Sequence, residues 1–185
     1  MMEQCSAMIL ACSKNRAEVI FSRCVCENDP DCECEKVSVS PYSEGPVDDG
    51  EMLARFAMDP THYRNGTLDE SIFDDMFTHG MSCSRIADRL AEEVHQTGIE
   101  HASKKGRRYC GYVVLNAGSL RAMKIHNRVR VYDTASPDYV SHADVVAFPT
   151  AKLDDFSEKQ QRKLIRTMLI AYSRKKGLIP YESDE

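Results

Sequence analysis

Residues 46–85 constrain the fold of this chain most, because they carry the start signals of two helices. Asp48 and Glu51 stand three residues apart, as do Thr67 and Glu70. An Asp or Thr followed three residues later by Glu is the capping-box pattern of a helix N-terminus. This stretch therefore predicts two helices joined by a polar loop.

The apolar residues that follow each signal recur at helical spacing, which favours one buried face per helix. Those of the first helix are Met52, Leu53, Phe56 and Ala57, and those of the second are Leu68, Ile72, Phe73, Met76 and Phe77. Ser84 predicts the cap of a third helix, which would run to Thr97 with Gly98 in the C′ position.

The second half of the chain alternates strand and helix signals. Residues 109–115 and 143–148 are rich in apolar residues, and residues 128–133 alternate between polar and apolar. These patterns predict three strands, and the strand at 128–133 would be half-exposed with its basic side chains outward. Ser157 and Gln160 then form a capping box for a long helix that ends at Gly177.

The predicted fold is a small single α/β or α+β domain with about four helices and a sheet of about three strands. We place a Cys-rich segment at residues 1–40, the globular domain at 41–178 and a disordered acidic tail at 179–185. The apolar runs are much shorter than the roughly 20 residues that cross a bilayer, so we expect no membrane contact. The residues before Cys12 lack the basic and apolar pattern of a signal peptide, so a cytoplasmic location is expected.

The net charge of −5 hides a strong asymmetry between the halves. Residues 1–100 carry 8 Lys and Arg against 20 Asp and Glu (−12), whereas residues 101–185 carry 16 against 9 (+7). Such a chain either folds its halves against each other or offers a basic face to an acidic partner. In the region 101–132 the candidate basic binding residues are Lys104, Lys105, Arg107, Arg108, Arg128 and Arg130. They permit a role as a nucleic-acid-binding accessory factor.

Four of the eight cysteines lie close together around an Asn-Asp-Pro-Asp turn. Side chains two residues apart in a strand share a face, so a hairpin closed at this turn would bring four sulfurs together as a zinc site. The candidate metal ligands are Cys24, Cys26, Cys32 and Cys34. A flexible acidic leader with oxidation-prone thiols is the alternative interpretation, and the sequence leaves both open.

The loop 133–144 is a second candidate site, because Asp133, Asp138, His142 and Asp144 gather at predicted strand ends. Such residues suit acid–base chemistry or ligand binding, although Asp-rich loops are also ordinary turns. We regard His142 as the single residue most worth testing there. Cys83 is a candidate nucleophile at a predicted helix start, although a free cysteine is more commonly a small buried residue.

One stretch of the chain suggests an enzyme family. In the order Arg55, then His62-Tyr63, then Ser82-Cys83-Ser84, the chain resembles the arginine and Ser-x-Ser elements of small ADP-ribosyltransferase folds. The resemblance covers about a quarter of the chain and implies NAD-dependent labelling of a target. Under this alternative the candidate catalytic residues are Arg55, Tyr63, Ser82 and His142.

The leading hypothesis is instead a non-enzymatic, bacterial, cytoplasmic accessory or adaptor protein that acts through protein contacts in a larger complex. The opposite charges of the two halves and the lack of a convincing active-site motif motivate it.

The zinc hairpin predicts metal in the purified protein. Chain prepared without chelator is expected to carry about one zinc ion, because a tetrahedral thiolate site holds the ion firmly. Elemental analysis measures this, and Cys26→Ser should reduce it while Cys110→Ser should not. A content well below stoichiometric in the parent protein would eliminate the site.

Overall fold

A strand buried on both faces lies at the centre of the fold. The computed structural model describes residues 34–36, 40–43, 45–64, 66–123, 127–149 and 157–182. The central strand, β1, spans Met52–Asp59, and its residues 53 to 58 are all buried. Antiparallel strands pair with it on both sides, along its whole length on one side and at Leu53 and Ala54 on the other, so it is an interior strand of its sheet.

Six strands of the described chain form one antiparallel sheet. Besides β1 these are β4 (Met81–Arg85), β5 (Arg108–Asn116), β6 (Asn127–Asp133), β7 (His142–Pro149) and β8 (Leu178–Pro180). Their order across the sheet is β6-β7-β4-β1-β5-β8. A separate two-residue pair consists of β2 (Tyr63–Arg64) and β3 (Thr67–Leu68). The helices are the 3₁₀ helix Glu70–Phe77, α1 (Ala91–Lys104), α2 (Ala117–Arg121) and α3 (Glu158–Lys176), with a 3₁₀ turn at Cys34–Lys36.

Helices cover both faces of the sheet. On face A, which carries Leu53 and Ala57, the 3₁₀ helix Glu70–Phe77 and α3 complete the larger core cluster. On face B, which carries Ala54 and Phe56, α1 packs through Val94. The sheet is twice as wide as predicted, because the sequence pattern did not indicate the strands β1, β4 and β8. The mixed α/β class is confirmed.

The prediction of a first helix after Asp48 is wrong, since these residues form β1. The capping-box contact does exist, with the Asp48 N–H donating to Glu51 Oε1 at 2.8 Å, but it closes a turn. A short, mainly apolar run such as residues 52–58, interrupted only by Arg55, fits a fully buried strand as well as a helix, and periodicity alone cannot separate them. Pairing on both sides decided the matter.

The second predicted helix forms, but as a 3₁₀ helix that begins later. Thr67 lies in β3, and the side chain of Asp69 caps the helix by accepting from the Ser71 N–H at 2.9 Å. The four predicted core residues within the helix are buried as expected: Ile72, Phe73, Met76 and Phe77. The helix ends before Gly80, whose positive φ of 94° suits glycine.

The start of the third predicted helix is wrong. Ser84 lies inside β4 and is fully buried, and the helix begins at Ala91. Leu90, just before the helix, is 65% exposed, whereas Val94 in its first turn is buried. Gly98 does not end this helix, which continues to Lys104.

The later elements agree with the sequence analysis. Strands β5, β6 and β7 lie where predicted, and α3 carries the predicted capping box at Ser157 and Gln160. Gly177 follows it with a φ of 87°. β8 includes Ile179 and Pro180, which the sequence analysis had assigned to the tail.

Strand β6 lies at the edge of the sheet and is not half-exposed as predicted. Arg130 is only 8% exposed and donates to Glu35 Oε1 at 3.0 Å. The Val131 N–H donates to Glu35 Oε2 at 2.7 Å, and the Val131 carbonyl accepts from Arg121 at 3.2 Å. Two side chains thus occupy backbone groups that an edge strand would otherwise offer to another chain.

Within the described residues, we find no helix that combines the length and the apolar character required to span a bilayer.

Gly98 gives a test of how α1 meets the sheet. A Cβ built there would lie 2.5 Å from Cε2 of Tyr109, within a rigid aromatic ring. Gly98→Ala should therefore lower the free energy of unfolding by about 1–3 kcal/mol through overpacking, although alanine usually favours a helix by about 1 kcal/mol. Denaturant unfolding measures the change.

Gly50→Ala is the control, because nothing lies within 4 Å of a Cβ at that position. We expect a change of no more than about 0.5 kcal/mol there. A stabilised Gly98→Ala protein would contradict the packing of α1 described above.

Candidate functional site

Ser82 and His142 lie on neighbouring strands and point to the same face of the sheet. In the β4–β7 ladder Ser82 is opposite Asp144 and Ser84 is opposite His142. Residues two apart share a face, so all four side chains belong to face B. The alternate residues Cys83 on β4 and Ala143 on β7 point into the face A core.

The two side chains are in direct contact. Ser82 Oγ lies 2.5 Å from His142 Nε2. The other ring nitrogen of His142, Nδ1, lies 2.8 Å from Thr134 Oγ1 and 3.3 Å from the Thr134 carbonyl oxygen. Asp144 Oδ2 is 3.8 Å from the same nitrogen. The imidazole is therefore held from one side by Thr134 and Asp144 and meets the Ser82 hydroxyl on the other.

These contacts favour one tautomer of His142. A carbonyl oxygen only accepts hydrogen bonds, so its contact with Nδ1 favours a proton on that nitrogen. Nε2 then carries the lone pair and accepts from the Ser82 O–H. This is the arrangement in which an imidazole serves as a base toward a hydroxyl.

Arg89, which follows β4, holds the surrounding elements together near Ser82 and His142. Its guanidinium donates to Ser84 Oγ at 2.9 Å, Ser141 Oγ at 3.0 Å and Thr97 Oγ1 at 2.6 Å. The residue thus joins β4, the loop before β7 and α1. It also lines a cleft of about 510 Å³ between α1 and that loop.

A row of rings extends across face B from β1 to His142. The ring centroids of Phe56 and His101 are 6.2 Å apart, those of His101 and Tyr139 are 6.4 Å apart, and those of Tyr139 and His142 are 4.9 Å apart. Burial, with help from nearby Lys105, lowers the pKa of His101 to about 4. The His101 ring is therefore neutral near pH 7, and the wall is aromatic rather than charged.

Arg55, the first candidate catalytic residue, lies on face A and not beside the Ser82 hydroxyl. Its three donor groups bind the Ile72 carbonyl at 2.9 Å, the Ser82 carbonyl at 3.0 Å and Asp75 Oδ2 at 2.8 Å. Burial acts to raise the pKa of Asp75, but the ion pair with Arg55 outweighs it and the pKa is lowered. Each of the three guanidinium nitrogens therefore binds an acceptor within the fold.

His62 and Tyr63 also lie away from the Ser82 pair. His62 is 6% exposed, and burial, with the nearby Arg55 charge, lowers its pKa to about 4. Tyr63 is in the short strand β2 and packs against the face A core. Of the four candidate catalytic residues, the structure brings together only Ser82 and His142.

Cys83 lies in a strand and not at a helix start. It is 1% exposed, and burial raises the pKa of its thiol to about 12. A thiol with that pKa stays protonated and is a poor nucleophile. Its role is packing, as the alternative interpretation had it.

The acidic residues of the loop 133–144 do not gather around His142 as a group. Asp144 does, but Asp133 belongs to face A, where its Oδ1 lies 3.9 Å from Arg85. Asp138 is exposed in the loop.

The predicted basic binding residues do not form one surface. Lys104, Lys105, Arg107 and Arg108 lie between α1 and β5, whereas Arg128 and Arg130 are in β6. Three strands separate β5 from β6 in the sheet. Arg108 pairs with Asp59 at 2.7 Å and Arg130 with Glu35 at 3.0 Å, and the side chain of Arg128 is outside the described residues.

The predicted zinc ligands Cys24, Cys26 and Cys32 lie outside the described residues. The backbone of Cys34 is described, in the turn Cys34–Lys36. Among the residues that the structure describes, no group of three or more His, Cys, Asp or Glu side chains is placed to hold a metal ion.

Sequence reasoning named Ser82 and His142 separately and missed their contact. The missing information was that residues 81–85 and 142–149 are adjacent antiparallel strands. Alternating Ser-Cys-Ser and His-Ala-Asp around small apolar residues is the signal that would have suggested two strands with polar residues on one face. Thr134 and Arg89 gave no comparable signal.

The comparisons with known proteins supply no relative. Neither the family models, nor the curated proteins, nor the solved structures contain a match to this chain.

The lowered pKa of His62 predicts acid sensitivity. Between the unfolded pKa of 6.5 and the folded value of about 4, the unfolded chain binds a proton that the folded chain does not. Stability should therefore fall as the pH falls from 6.5 to 4, by up to about 3 kcal/mol from this residue. Urea unfolding of the parent protein and of His62→Leu at each pH measures how much of the stability loss comes from His62.

The slope of stability against pH should be shallower in His62→Leu, and the half-buried His101, whose pKa is also lowered, should contribute with the same sign. His79→Gln is the control, since His79 is 60% exposed. An unchanged slope in His62→Leu would show that His62 does not titrate with unfolding.

Proposed function

We propose that this chain is a small accessory protein of the adaptor kind, which holds an acidic protein partner on the outward face of α3. The supporting observation is the composition of that face. Leu164 and Met168 are each 38% exposed, one helical turn apart, and Ala171 continues the line.

Basic residues border this apolar line. The exposed charged residues described on α3 are Lys159, Lys163, Arg174, Lys175 and Lys176, and none of them is acidic. An apolar centre with a charged rim is typical of protein interfaces, in which Met is enriched. At 1.5 Å per residue, the 19 residues of α3 extend about 28 Å, enough to pack along a partner helix.

The opposite face of α3 is already occupied. Ile165 and Leu169 are fully buried in the face A core, and Arg166 pairs with Asp74 at 2.6 Å. The basic residues on the outward side therefore carry the charge that a partner would meet. Acidic side chains on the partner would complement it and speed the encounter.

The charge split between the halves gives the proposal less support than expected. Several ion pairs join the basic second half to the acidic first half, at Arg108–Asp59, Arg121–Glu35, Arg121–Asp49, Arg130–Glu35 and Arg166–Asp74. Much of the asymmetry is thus balanced inside the fold. The case for a partner depends on α3.

The two alternatives gain no such support. An ADP-ribosyltransferase-like activity would need Arg55 available to a ligand, and its guanidinium binds three acceptors within the fold. A nucleic-acid surface would need the basic residues of 101–132 together, and they lie in two separate groups, one between α1 and β5 and the other in β6.

The adaptor proposal predicts a partner that depends on the α3 face. Protein isolated from its native host should elute by size exclusion with a retained protein. In the double variant Leu164→Asp and Met168→Asp the affinity for that protein should fall at least about tenfold, since buried apolar anchors typically contribute 1 kcal/mol or more each. Pull-down at matched concentrations and rising salt measures this.

Glu92→Lys and Gln96→Lys on the exposed side of α1 form a control in which charge is altered elsewhere. Retention should survive those changes. A strictly monomeric parent protein, or equal retention by the α3 variant, would count against the proposal.

A further inference from the structure

Ser82 differs from the other serine of its strand in two respects. Ser84 is fully buried and its hydroxyl is held by Arg89, whereas Ser82 is partly exposed and its hydroxyl meets an imidazole. An adaptor has no need of this arrangement. We propose that Ser82 is a nucleophile, activated by His142, that cleaves carboxylic esters with an apolar or aromatic acyl group.

The geometry supplies the base. His142 Nε2 lies 2.5 Å from Ser82 Oγ, and the Thr134 carbonyl favours the proton on Nδ1. Thr134 and Asp144 do not reach the serine and act as positioning residues. The carboxylate of Asp144, with Oδ2 at 3.8 Å from Nδ1, also stabilises the positive charge that the ring acquires when it takes a proton.

The fold restricts the movement of the pair. Both residues lie in paired strands in the interior of the sheet, not at its edges, and the loop before His142 is joined to β4 and α1 by Arg89. A nucleophile and base on rigid strands keep their alignment without a further ordering cost.

The ring wall indicates the acyl group. Beside His142 stand the partly exposed rings of Tyr139 and His101, with neighbouring centroids 4.9 and 6.4 Å apart, while Phe56 beyond them is buried in the core. Aromatic faces and edges pack well against flat apolar groups, and a neutral His101 adds no charge to repel them. Aromatic and short aliphatic acyl groups are therefore favoured over charged ones.

The reaction balances with water as the only co-reactant. The Ser82 O–H gives its proton to His142 Nε2 while Oγ forms a bond to the ester carbonyl carbon. The bond from that carbon to the leaving oxygen breaks, and the imidazolium returns the proton to the departing alcohol. Water then attacks the acyl-serine, giving its proton to Nε2, and the carboxylic acid leaves as Ser82 regains a proton.

A serine-directed probe tests this directly. The full chain is incubated with an aryl-bearing fluorophosphonate, and the modified peptide is located by mass spectrometry. We expect phosphonylation at Ser82, a rate at least about 100-fold lower in His142→Gln, and parallel loss of p-nitrophenyl ester hydrolysis. Ser82→Ala should abolish both signals.

Ser119→Ala is the matched control, because Ser119 is exposed on α2 and distant in sequence from both strands. It should label at the parental rate. Ser82→Cys provides a second measurement if Ser82→Ala fails to fold, since it should become the fastest-reacting cysteine toward iodoacetamide in a His142-dependent manner.

Asp144→Asn separates positioning from folding. Without the carboxylate the imidazolium formed in the reaction is less stable, so the labelling rate should fall at least about tenfold while the melting temperature changes little, and Asp144→Glu should recover part of the rate. Labelling that persists in Ser82→Ala, is indifferent to His142, or is absent from the parent protein would overturn the proposal. None of these results depends on whether a partner binds α3.

Discussion

A buried charge in the central strand organises this protein. Arg55 is 5% exposed in β1, where an unpaired guanidinium would carry a large desolvation cost. Its ligands come from the 3₁₀ helix, through Ile72 and Asp75, and from β4, through the Ser82 carbonyl. The 3₁₀ helix must therefore lie over β1 and β4 on face A, where its apolar residues complete the core.

The same contact bears on the site across the sheet. The Ser82 carbonyl accepts from Arg55 on one side of the strand while the Ser82 hydroxyl meets His142 on the other. The strand pairing that places Cys83 in the core also places Ser82 and His142 together, because side chains alternate between faces. A slip of one residue in the β4–β7 register would move the side chains of one strand to the opposite face, and Ser82 and His142 would no longer meet.

The charged residues of the two halves lie in different parts of the fold. The acidic first half and the basic second half were expected either to pair or to present a basic face, and both occur in different places. Glu35 and Arg121 occupy the edge of β6, and Arg108 meets Asp59 across the β1–β5 pair. Within the described part of the chain, α3 combines a basic surface with exposed apolar residues, which is why it carries the proposal of a partner.

The sequence by itself determined the elements whose signals are local. Neighbouring residues specify these elements, so they could be predicted. They are the Ser157 capping box, the helix end at Gly177, the strands 108–116 and 142–149, and the buried residues of the 3₁₀ helix. The tertiary structure alone decided that residues 52–59 form a strand, because an apolar run buried on both faces lacks a distinguishing period. It also decided the Ser82–His142 contact, since sixty residues separate the two and only strand pairing brings them together.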